Sequence, residues 1–152
     1  MSRFEAETTI ERSANDVWAY AADILRHPDW MNVADAHVVS GDGTAVGARG
    51  RERLLLGPFK WDVVFEVAEA VAGRRIVWRS VDDPRLDLEV GLDLEPVDAT
   101  STRATYHGAV QMHGRWRVLA PLVSMEGSAG LKRELQRLKS NVEATATMGA
   151  GT

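Results

Sequence analysis

Arg85-Leu-Asp-Leu-Glu-Val-Gly-Leu-Asp-Leu-Glu95 decides the architecture, because Leu86, Leu88, Val90, Leu92 and Leu94 alternate with Arg85, Asp87, Glu89, Gly91, Asp93 and Glu95. Side chains of an extended chain point to opposite faces in turn, so this stretch is a strand with one oily face and one acidic face. A helical period of 3.6 would scatter the same leucines around an axis. Working outward, strand-like segments fill the chain from about Val33 to His113, separated by Gly41-Asp-Gly43, Gly57-Pro58, Ala72-Gly73, Asp82-Asp-Pro84 and Asp98-Ala-Thr-Ser101. Turn residues at that spacing leave room for six strands joined by hairpin-length connections, which require antiparallel pairing.

Before this meander, Phe4, Ala6, Thr8 and Ile10 alternate with glutamates and a threonine and form a further strand. Ser13-Ala-Asn-Asp16 then reads as a helix N-cap with an acid in the first turn, leading into Val17/Trp18, Ala21/Ala22 and Ile24/Leu25. Pro28 limits that helix, with a short helical turn expected around Pro28 to Asn32. After Gly114 the period changes: Leu131, Leu135, Leu138 and Val142 make an apolar stripe, with Lys132, Arg133, Glu134, Arg137 and Lys139 on the other sides. The long helix starts near Pro121 and contains Gly127 and Gly130, each about 1 kcal/mol worse than alanine there. Two such glycines point to a bend or to close approach of another element.

With 152 residues, 45% hydrophobic and 26% charged, the chain has the balance of a globular domain and the length for one core. It lacks cysteine, which excludes disulfide scaffolds, thiolate metal sites and cysteine nucleophiles. A net charge of −4 with both signs interspersed gives no reason to expect nucleic-acid binding. Apolar runs such as Val118–Met125 are far shorter than the roughly 20 residues that span a bilayer, so membrane insertion is not expected. The charged N-terminus is unlike a signal peptide, and the expected location is cytoplasmic.

The element order, together with Ser13–Asp23, Pro28-Asp-Trp30, Val46-Gly-Ala-Arg49, Ile76-Val-Trp-Arg-Ser80 and Leu131–Lys139, resembles the START/polyketide cyclase (SRPBCC) superfamily over about Phe4 to Glu143. The resemblance implies an α+β helix-grip fold, as in the major birch pollen allergen. In that fold a curved antiparallel sheet of about seven strands surrounds a long C-terminal helix and encloses a cavity for lipids, polyketides or other apolar molecules. A single domain over 1–152 is expected, ordered over about residues 3–144, with a frayed tail. The superfamily mixes carriers, cyclases and other activities and has no universal catalytic motif to transfer.

Candidate site residues follow from the inward faces. Arg49, Arg51 and Arg53 alternate on one strand and read as its solvated face, which turns Ala48, Gly50, Glu52 and Leu54 inward. Glu52 is then a lone carboxylate among apolar walls, where desolvation raises its pKa and fits it for proton transfer, unless a bulge or a rim position returns it to water. Leu54, Trp61, Val63, Phe65, Trp78, Leu88, Leu92, Val123 and Gly127 are candidate ligand contacts, and the Tyr106 hydroxyl is a second catalytic candidate. Trp30 is placed at the mouth, with plugging the end of the sheet as the alternative. His107 and His113 share a strand face turned to solvent, and no metal-ligand spacing occurs, so neither a metal nor a cofactor is expected. Gly41–Gly47 is a hairpin loop and not a phosphate cradle, since no helix follows it; in the resembled fold it lies near the cavity entrance. The expected activity is binding of a small hydrophobic molecule as carrier, sensor or chaperone; the alternative is a cyclase or dehydratase using Glu52 and Tyr106.

Overall fold

The computed structural model describes residues 2–56 and 58–150, the side chains of 56 and 146–150 excepted. Of the tail expected to fray beyond about residue 144, the backbone is helical through Ala150, and residues 151–152 lie outside what is described. β1 (Ser2–Ile10) leads to α1 (Ala14–Ala22), a 3-10 turn (Ile24–Arg26) and the short α2 (His27–Trp30). The six expected strands follow as β2 (Val33–Ser40), β3 (Arg49–Leu56), β4 (Phe59–Val71), β5 (Arg75–Ser80), β6 (Leu86–Asp98) and β7 (Ser101–Met112). A second 3-10 turn (Gly114–Leu119) then enters α3 (Ala120–Ala150).

All seven strands form one antiparallel sheet in the order β1-β7-β6-β5-β4-β3-β2. Local chemistry fixes the helix ends. Ser13 caps α1 by accepting from the Asp16 N–H at 3.2 Å, and Asp16 in the first turn also pairs with Arg12 at 2.8 Å. Such a cap contributes about 1 kcal/mol. Pro28 sits in the first turn of α2, where its missing N–H has no helical partner to lose.

The core fills the concave face. Leu131, Leu135, Leu138 and Val142 of α3 are buried there, joined by Ile10, Val17, Ile76, Leu92 and Leu94. Burying each such side chain stabilises the fold by about 1.5–3 kcal/mol. α3 packs on β1 and β7, while α1 fills one end of the concavity against β5, β6 and β7. The convex face is ionic, with Arg79–Glu89 at 2.9 Å, Arg53–Asp62 at 3.0 Å and Arg49–Glu66 at 3.7 Å, so the arginine stripe of β3 is solvated, with Arg49 and Arg53 paired. His107 lies on the outward face as expected, beside Asp93 at 3.3 Å, but is only half-exposed. It lies opposite Gly91 in the β6–β7 register, and its ring occupies the space a Cβ would take, 2.2 Å from Cε1.

Candidate functional site

The other end of the concavity is left unfilled, as a cavity of about 200 Å³ between α3 and strands β3 to β7. Leu54, Trp61, Phe65, Trp78, Leu88, Val123 and Gly127 line it, together with Glu52 and Tyr106. Leu86, Leu88 and Val90 of β6 reach the void, whereas Leu92 and Leu94 lie further along the strand, where α1 covers the sheet. Leu92 is therefore core and not cavity wall, and Val63, 1% exposed, is likewise packed away from the void.

Trp30 corrects the mouth assignment. It is 0% exposed and packs against His27 (ring centroids 5.8 Å) and Tyr106 (5.4 Å), so it plugs the sheet end. Trp30, at the end of α2 and under the rings of His27 of the same helix and Tyr106 of β7, has no route to solvent. The Gly41–Gly47 hairpin also stays away from the cavity; Gly41, Gly43 and Gly47 have positive φ and serve the turn.

One wall of the cavity is polar. Glu52 is 6% exposed on the inward face of β3, and no bulge displaces it: the register breaks near this region fall on either side of Ala36, its partner in β2. It is not alone, because His27 Nδ1 is hydrogen-bonded to Glu52 Oε1. His27 Nε2 lies 3.0 Å from the Ala21 carbonyl oxygen, which can only accept, so Nε2 carries a hydrogen. Nδ1 and Oε1 therefore share one proton between them, as an imidazolium–carboxylate or a neutral imidazole–carboxylic acid pair. The Trp78 ring stands edge-on to His27, with centroids 4.8 Å apart.

A second acid–base pair stands on the same lining. The Tyr106 hydroxyl donates to Glu134 Oε2 at 2.8 Å. Glu134 belongs by sequence to the polar sides of α3, yet it lies three residues after Leu131 and four before Leu138, on the flank that turns inward. Burial raises its carboxyl to about 7, against the stabilising Tyr106 hydroxyl, the Arg137 charge and the Asn32 backbone N–H. Burial and the Glu134 charge push the Tyr106 phenol well above its ordinary range. Arg137 in turn donates to the Asn32 side chain at 2.8 Å, tying α3 to the end of α2.

Gly127 carries out the close approach expected of it: a Cβ there would lie 2.4 Å from the Phe4 ring, which also borders the cavity. Gly130, by contrast, has only ordinary contact distances around it. Among the described residues no group of three or more His, Asp or Glu could hold a metal ion.

This geometry, an apolar void gripped between a curved sheet and one helix, matches what the comparisons with known proteins return. The family model described as polyketide cyclase / dehydrase and lipid transport matches residues 1–143, and the chain belongs to that family. Its fold is of the START/polyketide cyclase type. No curated protein matches it. Among solved structures, it is similar to a START superfamily protein from Mycobacterium smegmatis (15% identity, TM-score 0.79, 94% of this chain and 98% of that one). It is also similar to the Zhui aromatase/cyclase from Streptomyces sp. R1128 (15%, 0.73, 95% and 97%) and to norcoclaurine synthase from Thalictrum flavum (13%, 0.70, 95% and 96%). At such identities the likeness is one of fold. No helix among the described residues is long and apolar enough to cross a membrane.

Proposed function

We propose that the chain binds a small hydrophobic molecule in this cavity, as a carrier, sensor or chaperone. The observation that carries the reading is the cavity itself, about 200 Å³ and mainly apolar, with a polar wall of His27, Asn32, Glu52, Tyr106 and Glu134 and the exposed Glu126 at its edge. A dry cavity of about 150 Å³ holds benzene, so this one suits about one to two fused rings, and its polar wall suits a ligand with an oxygen substituent. Apolar burial supplies affinity, and the polar groups orient the ligand.

Titration with naphthalene and 2-naphthol, followed by tryptophan emission, tests this. Saturable one-to-one binding that is abolished in Val123→Trp, which fills the void, supports the reading. It fails if neither probe binds, or if the filled variant binds as well as the parent.

The buried His27–Glu52 pair supports a second reading, a cyclase or dehydratase acting on a poly-β-ketone chain. As a carboxylate, Glu52 takes a proton from a carbon between two carbonyls, and His27 stabilises either protonation state of its partner. The same proton, returned to a leaving hydroxyl, completes a dehydration. Glu52→Gln then lowers turnover of a β-polyketone analogue by about 10²-fold or more with naphthol affinity kept. If the parent protein has no turnover, the binding reading stands alone.

A further inference from the structure

The mouth of the cavity has a composition unlike the rest of the chain. Residues 54–61 and 114–125 contain Lys60, Arg115 and Arg117 and not one acid, in a protein with 22 Asp and Glu and a net charge of −4. The two segments touch, since the Trp61 and Trp116 rings meet at 5.4 Å. Leu55, Phe59 and Leu122 line the void and are also exposed, which defines its opening; one acid, the exposed Glu126, stands on the same rim. Beside them on the entry to α3, Val118 and Met125 are 78% and 79% exposed. Five of the large apolar side chains that face water are thus gathered around one opening.

The three cations have no ion-pair partner among the described residues; Arg115 lies only over the Trp116 ring, at 5.3 Å. The acids that border the patch are already engaged, Asp62 with Arg53 at 3.0 Å and Glu126 with Arg133 at 3.4 Å.

We infer that this face docks on an anionic lipid surface, with Phe59, Val118 and Met125 entering the headgroup–acyl boundary and Lys60, Arg115 and Arg117 resting on lipid phosphates. Apolar prongs flanked by unpaired cations and aromatic rings are the recognition chemistry of such an interface. A second copy of this chain fits the face poorly, because a two-fold contact sets like charges against each other. An acidic protein would satisfy the cations but gives no role to apolar side chains set around the opening. On a membrane, the opening meets hydrocarbon and an apolar ligand enters without crossing water. The overall negative charge conceals this local reversal of sign. Docking of this kind needs no segment that spans the bilayer.

The inference goes beyond the ligand reading and is tested without ligand. Full-length protein is sedimented with vesicles of phosphatidylcholine alone and of phosphatidylcholine with about one-third phosphatidylglycerol. Three cations, each contributing about fivefold, give about a hundredfold preference for the anionic vesicles, lost at high salt. Lys60→Gln/Arg115→Gln/Arg117→Gln removes the preference. Val118→Asp/Met125→Asp, exposed and so harmless to folding by near-UV circular dichroism, removes the binding. Arg51→Gln on the outer face leaves both intact. Equal binding to the two vesicle types, no binding to either, or full binding by the Val118/Met125 variant overturns the inference. So does sedimentation of a dimer held through this face, or association with an acidic protein in place of vesicles. Because no ligand is present, failure of docking is separable from failure of naphthol uptake.

Discussion

Replacing Glu134 by Gln changes how stability depends on pH, and both sign and size follow from the site. The carboxyl has an ordinary value of 4.5 and is raised to about 7 in the folded protein, chiefly by burial, with the Tyr106 hydroxyl, Arg137 and the Asn32 N–H opposing. Between those values the native state keeps a proton that the unfolded chain has released. The contribution is therefore fully present below pH 4.5 and is lost as pH rises to about 7. At full burial that gap is worth about 3 kcal/mol, and the remaining exposure of Glu134 reduces it to about 2 kcal/mol. Glutamine keeps an acceptor for Tyr106 but does not titrate. In urea unfolding at several pH values, Glu134→Gln should gain about 2 kcal/mol relative to the parent between about pH 5 and 8. Parallel curves, or a gain that shrinks as pH rises, would refute the assignment of a buried, proton-retaining carboxyl.

Gly127→Ala should destabilise by about 1–3 kcal/mol although alanine is the better helix former, because the added methyl displaces the Phe4 ring; a ring pushed into the cavity also weakens naphthol binding, and a stabilised variant with unchanged affinity would contradict this. Trp30→Ala should lose about 3–5 kcal/mol in urea unfolding, as a core plug does, where a mouth residue would change stability by under about 0.5 kcal/mol. Ser13→Ala should lose about 1 kcal/mol through the missing cap on α1, measured the same way. Gly91→Ala should shift the His107 imidazole resonances and reduce stability, since its Cβ would occupy the place of the His107 ring; unchanged shifts would sink that reading.

The sheet was legible because its faces are chemically distinct. Once leucines alternate with acids on β6, and turn residues recur between such runs, strand number and pairing sense follow with little freedom. Glu52 was legible for the same reason, since three arginines on the opposite parity force it inward. Its partner was not. His27 sits in a four-residue helix with no periodicity to read, 25 positions from Glu52, and only the folding of α2 over the concave face brings the imidazole to the carboxylate. Glu134 left a fainter trace. Its spacing from Leu131 and Leu138 places it on the edge of the apolar stripe, yet a carboxylate between basic residues looks solvated until the sheet covers it. Which inner-face residues reach the void depends on where α1 ends its packing, and strand parity carries no information about that. Val63 and Leu92 therefore share the parity of cavity residues without touching the cavity.

The position of β1 bears on how the molecule is made. Of the seven described strands β1 is made before the others, yet its one described partner is β7, the last of them, with Ser2 opposite Val110 and Ile10 opposite Thr102, and its inner side is covered by α3. At about 5–20 residues per second, Phe4 and Ile10 wait several seconds for the segments that shelter them. The meander β2–β7 can zip by successive hairpins while it emerges, but closure is a late, chain-spanning event. Stalled nascent chains ending before α3 should therefore remain protease-sensitive at β1, and chains in which β7 and α3 have emerged should protect it in a single step.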